Sequence, residues 1–129
     1  MHIARVLAVL LAFAPLPALA QAHNHGPSNG GQLLKIGAYE GELVVRGSDV
    51  TLYVEDDKER KADASKLSAT VVVLARGNEQ KTIELTPGGD NKLVGKVDFP
   101  FEGKFRATVT LRSASGEIGK GRYSLDPIR

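Results

Sequence analysis

From Tyr39 onward apolar and polar residues alternate with a period of two, and that rhythm confines the chain to half-buried β-strands. Residues 104–112, KFRATVTLR, are the plainest case. Phe105, Ala107, Val109 and Leu111 fall on one face, with Lys104, Arg106, Thr108, Thr110 and Arg112 on the other. Val50, Leu52 and Val54 alternate with Thr51, Tyr53 and Glu55 in the same way. Residues 69–74, ATVVVL, form a continuous β-branched run, the pattern of a central strand or of one buried on both sides. Further strands are predicted at 39–46, 81–86, 92–99 and 119–125, which brings the number to seven.

Short turn signals separate these runs. Arg46-Gly47-Ser48-Asp49 and Arg76-Gly77-Asn78-Glu79 have the composition of tight hairpins, Pro87-Gly88-Gly89-Asp90-Asn91 that of a longer turn, and Ser115-Gly116 closes the last hairpin. No segment of this region carries a helical period. Seven short strands with hairpin-length links predict an all-β domain, a single antiparallel β-sandwich of immunoglobulin-like type. A small closed barrel is the nearest competitor. The one longer connection, residues 56–66 (DDKERKADASK), mixes acids and bases closely. It reads as a solvated crossover; the alternative, a cation site at Asp56, Asp57 and Asp63, lacks the ordered spacing and central glycine of a calcium loop.

The first twenty residues, MHIARVLAVLLAFAPLPALA, have the form of a secretory signal peptide: one early positive charge at Arg5, an apolar stretch, then Pro15 and Pro17 ahead of small residues. The apolar stretch is too short to span a bilayer, and no second one follows, so no membrane insertion is expected after cleavage. Cleavage fits the small-x-small rule after Ala20 or after Ala22. The expected organisation is a signal peptide over 1–20, a flexible His- and Gly-rich leader over 21–31 and the β-domain over 32–129, exported to the periplasm. Removing Arg5 from the 17 Lys and Arg leaves 16, against 15 Asp and Glu. That even, interspersed balance, with few aromatic residues, argues against nucleic-acid binding.

The leader, QAHNHGPSNGGQL, holds His23 and His25. Whichever cleavage register is used, the third residue of the mature chain is a histidine. A free amine, two deprotonated amides and an imidazole then offer four nitrogens in a plane, an arrangement suited to Cu(II) or Ni(II); Zn(II) prefers a tetrahedron. Proline is absent from the two positions whose amides must lose a proton. Cyclisation of a terminal Gln21 would remove the amine and leave only the two imidazoles, for which Glu40, Glu42 and Asp57 are possible helpers. The competing reading is a polar leader that happens to contain two histidines. The chain has no cysteine, and Met1 is its sole methionine, so soft-ligand copper chemistry has no donors in the mature chain. Gly26 to Asn29 read as a tether, with strand entry from about Gly31.

These residues resemble a known group. HNHGPSNGGQL followed by Tyr39-Glu40-Gly41-Glu42-Leu43-Val44 is similar to small periplasmic proteins associated with heavy-metal efflux. It also resembles the N-terminal region of periplasmic adaptor subunits of heavy-metal RND efflux pumps. The turn at residues 86–93 and Asp56-Asp57-Lys58 share the likeness. The resemblance implies a β-sandwich with a role in metal resistance, a component of a heavy-metal efflux pump as partner, and His23 and His25 as ligands. The chain lacks the further histidine that such proteins carry near residues 39–43 or 56–58, which moves weight to a tail-borne site. With both histidines on the leader, no rigidly held catalytic triad can be assembled, and no enzymatic activity is expected. The alternative function is a non-catalytic envelope protein-interaction module with no metal role.

Overall fold

The computed structural model describes residues 26–129, which form strands, turns, connecting loops and two single-turn 3-10 segments. Eight strands follow one another: β1 (Gln32–Ile36), β2 (Tyr39–Arg46), β3 (Asp49–Glu55), β4 (Leu67–Leu74), β5 (Gln80–Pro87), β6 (Lys92–Lys96), β7 (Phe105–Ser113) and β8 (Gly116–Leu125). The seven predicted strands are all present. The eighth is β1, which begins where strand entry was expected, just after Gly31, although its QLLKI sequence has no clean alternation.

All eight strands belong to one antiparallel sheet, in the order β1-β2-β3-β6-β5-β4-β7-β8. Two links skip neighbours: residues 56–66 carry the chain from β3 to β4, and residues 97–104 carry it from β6 to β7. Each skip sets a strand beside the far end of a three-strand meander, so the topology is two overlapping Greek keys. The expectation of an immunoglobulin-like sandwich is corrected here to a coarser class. The chain is all-β and antiparallel, but β6 pairs with both β3 and β5, so the strands run on as one nearly barrel-shaped sheet without a clear division into two. The β5–β6 seam is the thinnest part, with only Thr86–Val94 and Pro87–Leu93 in register. Strand periodicity cannot distinguish these outcomes, because an inward-facing residue looks the same inside a sandwich and a barrel.

Strands β1 and β8 approach each other at the remaining gap. The Ser124 amide donates to the Gln32 side chain across it at 2.8 Å. A Cβ on Gly119 would come within 2.7 Å of the Gly37 nitrogen, so this approach requires that neither residue carry a side chain on that side. The interior is filled by the alternating apolar set. Leu43, Val45, Val50, Leu52 and Val54 from one half meet Val71, Leu85, Phe105, Val109 and Leu111 from the other, all fully buried. Tyr123 reaches through this core to donate its hydroxyl to the Gly41 carbonyl at 2.6 Å. Burial without a nearby charge pushes its phenol far above the ordinary range.

Strand β4 is central, as its sequence predicts, lying between β5 and β7. It is not buried on both sides: Ala69, Val71 and Val73 face the core, while Val72 and Leu74 face outward and remain partly exposed. The crossover at 56–66 is organised by its own acids. Asp56 accepts from the Lys58 and Arg60 amides at 2.8 and 3.0 Å, and Asp63 accepts from the Ser65 amide and hydroxyl at 3.0 and 2.7 Å. These are turn-forming bonds.

Candidate functional site

The outer face of β2 carries the most unusual side chain in the molecule. Glu42 follows Gly41 and precedes Leu43, so strand alternation directs it outward, yet it is only 3% exposed. What covers it is the chain segment just before β1. The two carboxylate oxygens accept from the Ser28 amide (3.1 Å), the Asn29 amide (2.9 Å), the Asn29 side-chain amide (2.9 Å) and the Gly31 amide (2.8 Å). Successive backbone N–H groups turned toward one anion form a concave nest. Here the anion is the protein's own carboxylate. A buried charge is costly unless its lone pairs are satisfied, and this one has four donors.

Local sequence explains how the segment folds onto Glu42. Gly31 passes so close to β2 that any Cβ would collide with the Leu43 carbonyl. Gly30 adopts φ +83°, a left-handed conformation that glycine takes without strain. Asn29 contributes both a backbone and a side-chain donor. The same cover buries Val44, so that Gly41 to Val45 are all buried although the β2 sequence alternates up to Leu43. The run GPSNGG, read from sequence as tether up to Asn29, thus has Ser28, Asn29 and Gly31 bonded to the sheet.

Beside Glu42 lies a cleft of about 380 Å³, bordered by Gly26, Tyr53, Glu55, Lys61 and Asp90 among others. Its rim is of mixed charge. Lys61 pairs with Asp90 at 2.8 Å, which holds the lysine above its ordinary pKa through the hydrogen bond and the charge together. Asn91, buried behind them, donates to the Val54 carbonyl at 3.1 Å and ties the β5–β6 turn to β3.

The sequence-predicted site residues divide as follows. His23 and His25 lie outside the described residues. Of the three possible helpers, Glu42 is occupied by the leader, Glu40 stands opposite Lys35 and Glu55 in the strand registers, and Asp57 is exposed in the crossover. Asp56, Asp57 and Asp63 do not converge, and among the described residues no group of three or more His, Asp or Glu is arranged to hold a metal ion. The part that sequence reading missed is the clamp itself. Its signal was present: Leu43-Val44-Val45 breaks the alternation of β2, and an apolar residue on an outward position implies something lying over it.

Comparison of the chain with known proteins finds no match: no family model, no curated protein and no solved structure is similar to it.

Proposed function

We propose that the protein binds a divalent transition-metal ion, Cu(II) or Ni(II) in preference to Zn(II), through His23 and His25 in the exported chain. In this reading it buffers the ion or hands it to a component of a periplasmic efflux pump. The observation that carries the reading is the Glu42 clamp. A leader that served only to connect a signal peptide to a strand would need no buried carboxylate and four hydrogen bonds at its end. Holding Ser28 to Gly31 sets the point from which the histidines extend. Gly26 lines the cleft, and covalent geometry keeps the His25 Cα about 3.8 Å from that of Gly26. Glu55 and Asp90 border the same cleft, and an oxygen from either would strengthen a site of two imidazoles.

The interaction-module reading is less well supported in its strand-addition form. Pairing with a partner strand needs an open sheet edge, and here β1 and β8 lie against each other.

Isothermal titration of the processed protein with Cu(II), Ni(II) and Zn(II) tests the proposal. One equivalent of Cu(II) or Ni(II) binds at micromolar concentration or tighter, and the His23→Ala, His25→Ala double variant loses that binding while keeping its melting temperature. Unchanged affinity in the double variant removes the tail as the site.

A further inference from the structure

The outer face of β4, β7 and β8 is built differently from the clamp side. Val72, Thr108 and Arg122 form one row across the three strands, and Arg106 sits opposite Ser124 in the next. The two arginines are therefore diagonal neighbours on adjacent strands, close enough for long side chains to act on one group. Around them is a groove of about 400 Å³ whose apolar floor is Val72 and Leu74.

Two features set this groove apart from ordinary sheet surface. Several exposed cations elsewhere are matched: Arg60 with Asp56, Lys61 with Asp90, Arg76 with Glu102, Lys96 with Asp49 and Lys104 with Asp126. Among the described residues Arg106 and Arg122 have no ion pair and no side-chain hydrogen bond, whereas farther along the same face Arg112 stands opposite Glu117 and Thr70 bonds Glu84. The second feature is the floor. Val72 and Leu74 are apolar residues on the outward side of a central strand, and no other part of the described chain covers them as the leader covers Val44.

We propose that this groove binds a small amphipathic organic anion, with its carboxylate or phosphate held by Arg106 and Arg122 and its short apolar body laid on Val72 and Leu74. Guanidinium groups present paired N–H donors that match either oxyanion. Thr108 and Ser124 add hydroxyls at the same level. The groove volume falls in the range of small-molecule sites, about 300–1,000 Å³, and its combination of apolar floor and a few polar groups is their usual composition. A bare inorganic anion would leave the floor uncovered, and a neutral chain would leave the arginines unpaired. The occupant must carry both parts. This site is on a different wall from the Glu42 cleft and does not depend on the metal proposal.

The test uses the processed protein and three probes followed by amide NMR: octyl phosphate, octanoate and inorganic phosphate. Octyl phosphate and octanoate shift the signals of Val72, Leu74, Thr108 and Ser124 in a saturable way, with inorganic phosphate about tenfold or more weaker. Arg106→Gln with Arg122→Gln weakens octyl phosphate binding about tenfold or more, since each lost bond to a charged group costs roughly that factor. Both side chains are exposed, so the variant keeps the wild-type melting temperature. Arg106→Lys with Arg122→Lys falls between the two, retaining charge but not the planar fork. Octyl phosphate binding that survives the double glutamine change, or equal binding of inorganic phosphate, overturns the proposal. So does a lysine variant as weak as the glutamine one together with shifts located on another wall.

Discussion

Glu42 illustrates how one side chain can organise a segment that has no apolar residue to pack. The leader from Gly26 to Gly31 has nothing to bury, so its position depends on hydrogen bonds to a single carboxylate. Glu42→Gln tests this at the residue scale. An amide in place of the carboxylate turns one acceptor into a donor and sets it against backbone N–H groups, while the charge that strengthens the other bonds is lost. The expected cost is about 2 kcal/mol of stability. Amide hydrogen exchange is the sharper readout: Ser28, Asn29 and Gly31 lose protection in the variant, whereas Val71 and Val109 in the core keep theirs. Equal protection of the three amides in both proteins would show that the clamp is not what holds the segment. Half of this arrangement was legible in the sequence, though it went unread there. The broken alternation at Leu43-Val44-Val45 implies a cover over β2, but which segment provides it depends on a contact between residues more than ten positions apart, and no local pattern encodes that.

At the scale of elements, two features invite direct tests. The gap between β1 and β8 is bridged at Gly37 and Gly119, where a side chain has no room. Gly119→Val places atoms against the Gly37 backbone and forces the two strands apart. A loss of about 2 kcal/mol or more, with increased exchange in β1 and β8 and little change in β4, is the expected pattern. A variant as stable as the parent would show that the strands are not closed there. The crossover at 56–66 responds instead to acid. Asp56 is held below its ordinary value of 3.8, first by the Arg60 amide, and Asp63 likewise, first by the Ser65 hydroxyl. A carboxyl whose folded pKa is lowered contributes stability above its unfolded value, and the contribution is lost as pH falls through the folded one. The melting temperatures of wild type and Asp56→Asn should therefore differ at neutral pH and converge below about pH 4, near the ordinary carboxylate pKa. A constant difference across that range contradicts the account. The strands themselves were readable from alternation, and the hairpins at Gly47 and at Ser115 from turn composition. The β1 strand was marked only by the expected strand entry near Gly31, because QLLKI shows no alternation, and its place between β2 and the gap to β8 is a tertiary fact.

For the molecule as a whole, barrel-like closure decides what the surface can do. With β1 lying against β8, the two end strands partly cover each other, and the two outer faces differ. One is covered by Ser28 to Gly31 and has a cleft of mixed charge; the other carries Arg106 and Arg122 beside an apolar floor left open. Net charge could not reveal this division, since 17 cations and 15 anions look balanced until the fold sorts them by strand. The alternation predicted an antiparallel β-domain but not the sandwich, because the single-sheet outcome rests on β6 pairing with both β3 and β5.

In the proposed reading the Glu42 clamp delivers the His23–His25 leader, and the ion it would carry, to one place beside β2 and β3. Cu(II) is paramagnetic and erases the amide NMR signals nearest to it, so a single titration tests the claim. With one equivalent of Cu(II), the signals of Leu33, Tyr53 and Asn91 around the cleft should disappear first, those of Arg106 and Arg122 should persist, and Glu42→Gln should spread the effect. Signals that all survive, or that fade evenly over the whole barrel in the unaltered protein, would contradict the account.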